Sequence, residues 1–156
     1  MPASAPYGHF DDEAREYVIT RPDTPKSWMN YLGSRLYGGI VTQNAGGYSF
    51  YRSGGTGRIL RMRFNGVPVD EPGRFVYLRD DAGSSVSEAG DFWSASWQPV
   101  GKPLGDGVGQ QRVSVRHGLG YSVFTSTYAG ISSELTIFEA MRDAWKWQVA
   151  LQNDPL

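Results

Sequence analysis

Turn signals interrupt this chain so often that almost no segment has room for a helix. Residues 15–20 read as extended and run into Arg21-Pro22-Asp23-Thr24-Pro25, where two prolines forbid a continuous helix. Residues 36–42 and 48–51 read as strands around Gly46-Gly47. Arg58-Ile59-Leu60-Arg61-Met62-Arg63-Phe64 alternates basic and apolar side chains, then meets Asn65-Gly66, a hairpin signal because both residues tolerate positive φ. Residues 74–79, 92–97, 112–116, 122–128 and 134–138 continue the series, with a turn at Ala129-Gly130. In 145–151 the alternation puts Trp145, Trp147, Val149 and Leu151 on one face. Strands recurring with turns between them predict an all-β chain, an antiparallel β-sandwich, and only residues 11–17 read as a short helical turn. The small, polar stretches 83–90 and 101–111 read as mobile excursions.

With 156 residues the chain has the length of one domain and enough apolar content, 40 %, to bury a core. Its 20 glycines and 9 prolines suit a turn-dense fold. Fifteen basic residues against 16 acidic ones leave a net charge of −1, which provides no electrostatic footprint for nucleic acid or an anionic membrane. No apolar run approaches the roughly 20 residues that span a bilayer. Met1-Pro2-Ala3-Ser4-Ala5-Pro6 lacks the basic and apolar regions of a secretion signal and reads as a disordered tail. The absence of cysteine excludes disulfides and thiolate metal sites and fits a reducing cytoplasm.

The segment that points to chemistry is Asn44-Ala45-Gly46-Gly47-Tyr48-Ser49-Phe50-Tyr51. Two glycines precede an alternating aromatic run, and rings beside a flexible turn suit a sugar, whose pyranose face stacks while its hydroxyls seek polar groups. Tyr48 and Tyr51, three apart on a strand, point to opposite faces, so one can face a core while the other projects. Arg52 can donate charged hydrogen bonds to a hydroxyl or a phosphate, or end the strand in solvent. Trp97, Trp145 and Trp147 read as core. The carboxylates Asp11, Asp12, Glu13, Asp80, Asp81 and Asp91 are candidates for a general acid. Adjacent Asp80 and Asp81 point to opposite faces, and aspartate is a favoured turn residue, so the pair reads as a turn. His9 and His117, far apart and without a carboxylate-rich motif, read as structural or surface histidines and predict no metal site. The glycine clusters lack the Lys-Ser ending and following helix of a phosphate loop.

With Tyr7-Gly8-His9-Phe10-Asp11-Asp12, the run from Tyr17 to Pro22, Ser96-Trp97-Gln98-Pro99-Val100-Gly101-Lys102-Pro103 and Arg116-His117-Gly118-Leu119-Gly120-Tyr121-Ser122, this segment resembles the N-terminal region of the cellobiose and chitobiose phosphorylases, glycoside hydrolase family 94. The resemblance runs from Tyr7 nearly to the last residue. It implies a supersandwich of the galactose-mutarotase type over residues 7–156, incomplete here and followed in the family by an (α/α) barrel that bears the catalytic aspartate. It therefore carries over no catalytic residue. The implied activity of the parent is inverting phosphorolysis of a β-linked disaccharide, with inorganic phosphate as co-substrate and no cofactor. The family's sandwich helps to build a homodimer and approaches the partner's active site. Tyr51, with Tyr48 and Arg52, is thereby the expected substrate-proximal group. Two departures stand out. Phe138-Glu139-Ala140 replaces a Phe-Val-Pro run, and residues 83–89 read as an insertion. An uncovered 145–151 strand would be an aggregation hazard. A free-standing carbohydrate-binding module and a purely structural dimerisation domain are the competing readings.

Overall fold

The computed structural model describes residues 6–60, 73–81, 90–140 and 144–153, the side chains of 139, 140, 144–148 and 153 excepted. The predicted tail (all but residue 6), residues 61–64 of the 58–64 strand, Asn65-Gly66 and the 83–89 insertion lie outside the described residues, as do the side chains of Trp145 and Trp147. Among the described residues there are strands and no helix. They are β1 (Gly8–Asp11), β2 (Glu16–Ile19), β3 (Met29–Gly33), β4 (Tyr37–Thr42), β5 (Gly47–Tyr51), β6 (Arg58–Leu60), β7 (Tyr77–Asp80), β8 (Asp91–Ser94), β9 (Arg112–Gly118), β10 (Tyr121–Tyr128), β11 (Ile131–Ala140) and β12 (Ala144–Asn153). A six-stranded sheet runs β1-β2-β9-β10-β11-β12, a four-stranded sheet runs β3-β4-β5-β6, and β7 pairs with β8. Every pairing between these strands is antiparallel.

Residues directly opposed across neighbouring strands share a face, so the register sorts the six-stranded sheet into rows. One row runs Ile19, Val115, Phe124, Leu135, Val149. Its first four members are fully buried. They pack with Leu32 and Val41 of the smaller sheet and Ala45 of its β4–β5 turn into one core, which Trp28, Phe75, Val76 and Trp97 flank. Two residues along the strands, the next row on the same face runs Phe10, Tyr17, His117, Ser122, Ile137. Ile137 and Ser122 are sealed, whereas Phe10 at the β1 edge is 77 % exposed. Burial thus decays toward β1. Asn30 of β3 ties the two sheets together: Nδ2 donates to Gly118 O and Tyr121 O, both at 2.8 Å, and to Ser122 Oγ at 3.2 Å.

The predicted helical turn at 11–17 is instead the β1–β2 hairpin. Asp11 Oδ1 accepts from Ala14 N at 3.0 Å and Arg15 takes φ 56°, so a side-chain-closed turn replaces a helical one. β1 and β3 are additional strands. In β3 a polar residue, Asn30, occupies the inward position that a purely apolar pattern would fill, and prolines and serine precede it. The strand expected over 92–97 ends at Ser94, whose Oγ accepts from Val100 N and donates to Trp97 O. Nor is 101–111 a loose excursion. Gln111 N donates to Pro103 O at 2.7 Å, and the fully buried Gln111 side chain donates to Ser94 O at 2.9 Å.

Candidate functional site

The β4–β5 hairpin is built differently from a flexible glycine turn. Thr42 N donates to Gly46 O (2.8 Å), Ala45 N donates to Thr42 O (3.0 Å), and Ala45, at φ 61°, supplies the left-handed residue. Gln43 is buried: its Nε2 donates to Thr24 Oγ1 at 2.7 Å, and its Oε1 accepts from Trp28 N at 2.9 Å. Gly47 is required for a different reason. At φ 141° a Cβ would stand 2.0 Å from the Ile40 carbonyl oxygen, so only glycine lets the two strands approach.

The alternation places Tyr48 and Tyr51 on opposite faces of β5. Tyr48 stacks on Phe50 with centroids 5.9 Å apart and planes 24° apart, beneath the Arg58 guanidinium at 5.6 Å. Gly54 closes over both rings, and Phe50 lies over Gly38. Tyr51 lies on the same face as buried Ser49, at the end of the sheet, half-buried against its cross-strand partner Tyr37 with centroids 5.1 Å apart. Arg52, exposed at φ 61°, places its guanidinium 5.1 Å from the Tyr51 ring centre and ties its backbone N–H to Leu36 O. Arg35, also exposed, sits in the turn on which Arg52 leans. Among the described residues neither arginine forms an ion pair, so this end presents two tyrosines and two unneutralised guanidinium groups. Such an arrangement suits an anion beside a hydroxylated ring.

The family model described as glycosyl hydrolase 94, supersandwich domain, matches residues 15–155. The chain belongs to that family. Two curated relatives are N,N'-diacetylchitobiose phosphorylases, from Vibrio furnissii (48 % identical) and Vibrio proteolyticus (47 %), each aligned over 148 residues, 94 % of this chain and 17 % of the relative. Solabiose phosphorylase of Paenibacillus borealis is 30 % identical over 158 residues, 96 % of this chain and 18 % of that protein. The chain therefore spans under a fifth of the length of these relatives.

In this supersandwich domain three of the candidate carboxylates, Asp11, Asp81 and Asp91, are spent on structure. Asp11 closes a turn, and Asp81 pairs with Arg79 at 2.6 Å. Asp91 accepts from Lys102 Nζ and from Tyr128 Oη, each at 2.5 Å, and these bonds hold its pKa below the usual carboxylate range. A general acid needs the opposite shift. Lys102 is correspondingly held above the usual lysine range by Asp91. The histidines are not brought together: His9 is exposed on β1, while burial pushes His117 down to about 4. Among the described residues no cluster of His, Asp and Glu can hold a metal ion. Nor is any helix there long and apolar enough to cross a membrane.

Sequence reading passed over a second cluster. Phe10, Tyr17 and Trp28 form a ladder, Phe10 on Tyr17 at 4.8 Å and Tyr17 on Trp28 at 5.6 Å, both edge to face. Tyr7 continues it from Trp28 at 6.0 Å. The Arg21 guanidinium caps Tyr7 at 4.6 Å and is neutralised by Asp23, which it meets with two hydrogen bonds. The signal was present as the direct opposition of 10 and 17 in a hairpin, but it is legible only once 11–17 is read as a turn.

Proposed function

We propose that this chain serves as the N-terminal supersandwich part of an inverting phosphorylase that cleaves a β-linked disaccharide with inorganic phosphate. In that reaction the C1–O glycosidic bond breaks as a phosphate oxygen bonds to C1 from the opposite face. The departing oxygen takes a proton from a general acid, leaving a sugar 1-phosphate and a free sugar. No carboxylate described here is placed as that acid, so the proton comes from another part of the enzyme. Tyr51, Tyr48 and Arg52 are read as substrate-proximal, with Tyr51 and Arg52 offering a phenol and a guanidinium at the open end of the smaller sheet. The domain acts within a cytoplasmic homodimer and presents that end to the partner's site. The single observation that carries this reading is the 47–48 % identity to two diacetylchitobiose phosphorylases along 94 % of the chain.

The test is an assay of the enzyme that contains this domain, in phosphate buffer, with N,N'-diacetylchitobiose and with cellobiose. Release of a sugar 1-phosphate from either, and a dimer in sedimentation, are expected. Hydrolysis without phosphate incorporation would overturn the reaction, and a monomer with full activity would overturn the dimer. The 156-residue chain alone is expected to release no sugar 1-phosphate above a buffer blank.

A further inference from the structure

We infer that the groove at the β1 edge, lined by Phe10, Tyr17, Trp28, Met29, Asn30 and His117, is a second saccharide-binding site, separate from the Tyr51 end and built for a neutral pyranose unit. The groove has a volume of about 470 Å³, which is enough for a sugar ring or two. It lies where the Phe10-Tyr17-His117 row emerges from between the two sheets. Tyr51 stands on the smaller sheet, two strands away from the β3 edge that forms this groove's other wall.

Three observations specify the ligand. First, the rings already form a connected edge-to-face ladder. Phe10 and Trp28 each stand steeply to Tyr17, at 75° and 64°, and Phe10 turns most of its surface to solvent. A connected apolar platform suits the C–H face of a pyranose.

Second, the polar atoms left over are those a hydroxylated ring can use. Asn30 spends both amide hydrogens inward, which leaves Oδ1 as the atom it can offer. Tyr17 Oη has no hydrogen-bond partner among the described residues. Beneath them, Asn30 Nδ2 reaches Ser122 Oγ, which lies 2.9 Å from His117 Nδ1. The His117 ring is otherwise buried, with a hydrogen bond to the Trp28 backbone that works against the effect of burial.

Third, no aspartate, glutamate, lysine or arginine lines the groove, and burial keeps the His117 ring uncharged at neutral pH. A phosphate or a charged peptide finds no counter-ion there. A neutral sugar needs none.

The choice of probe rests on the reading of this domain as part of a carbohydrate enzyme; the choice of site does not. The experiment is a titration of the full chain with N,N'-diacetylchitobiose and, separately, with cellobiose, following the Trp28 indole and His117 imidazole signals by NMR. Saturable millimolar shifts at Trp28 and His117 are expected with at least one sugar. Phe10→Ala should weaken binding about tenfold, with the melting temperature nearly unchanged, and Phe10→Trp should restore it. No shift with either sugar would overturn the inference. So would shifts confined to Tyr48 and Tyr51, which would instead support the phosphorylase site, or shifts produced by protein concentration alone, which would make the groove a contact between copies. Phosphate-dependent turnover, which tests the proposed function, is a separate readout, so failure of this groove leaves that reading standing.

Discussion

Two neighbouring rows on one face of the six-stranded sheet have opposite characters. Ile19-Val115-Phe124-Leu135 is dry and sealed by Leu32 and Val41 of the smaller sheet. Phe10-Tyr17-His117-Ser122, two residues along the same strands, mixes rings with polar groups and opens to solvent. The difference is one of cover. The smaller sheet covers the first row fully and leaves the second row's β1 end open, with Asn30 supplying hydrogen bonds at the boundary. Tyr37 and Tyr51 stand at a comparable half-open end of the smaller sheet. Stability is thus concentrated in the centre, and the groups that can meet a ligand sit at the margins.

Breaking the sealed row should have the largest effect. Phe124→Ala removes a fully buried ring and is expected to cost about 3–5 kcal/mol, read as a lowered midpoint in denaturant titration. A loss below about 1 kcal/mol would mean the row is not the core of the domain.

The polar row should reveal itself through pH. His117 titrates near 4 in the folded chain because burial disfavours its charged form, against about 6.5 when unfolded. Between those values the unfolded state binds more protons, so stability is full above the unfolded pKa and falls as pH drops toward 4. The loss amounts to about 3 kcal/mol at most. Thermal melts from neutral to mildly acidic pH should show this decline, and His117→Asn should flatten it. An unchanged pH dependence in the variant would assign the acid sensitivity elsewhere.

At the tyrosine margin the effect should be kinetic. In the complete enzyme, Tyr51→Ala is expected to lower the specificity constant about 5- to 150-fold, the loss of about 1–3 kcal/mol, by more than it lowers stability. A melting point that falls by many degrees while the specificity constant holds would place Tyr51 with the sealed row. Arg52→Ala should raise the KM for phosphate more than that for the disaccharide if the guanidinium meets the anion. The smallest effect belongs to the exposed end of the polar row: Phe10→Ala should change stability by about 0.5 kcal/mol or less, since little of that ring is buried. A larger loss would show that the ladder supports the fold.

Alternation and turn chemistry were enough to read nearly every long strand. The register 122–128 against 131–138 follows from a short turn in which Ala129 and Gly130 both take positive φ, and such a turn leaves little freedom in the pairing. Short elements were harder. β1 is only four residues, and Asp11, Asp12 and Glu13 ahead of Ala14 imitate the first turn of a helix until Asp11 is seen to close a hairpin. At the candidate site, the opposite facing of Tyr48 and Tyr51 was readable, because strand periodicity alone decides it. Which of them stands at the sheet's end with Tyr37 and which lies under Gly54 and Arg58 was not.

The sequence by itself determined the all-β character, the antiparallel pairings between neighbours in the chain and the sign of each strand's two faces, because these depend on local turns and a period of two. It determined membership of the supersandwich family as well, through motifs that survive as residue strings. Only the tertiary structure decided that β2 pairs with β9, that Asn30 reaches across to Gly118 and Tyr121, and that Tyr17 stands opposite His117. Those contacts join residues some 90 to 100 positions apart. Their geometry follows from how two twisted sheets share one core, and no local pattern encodes that.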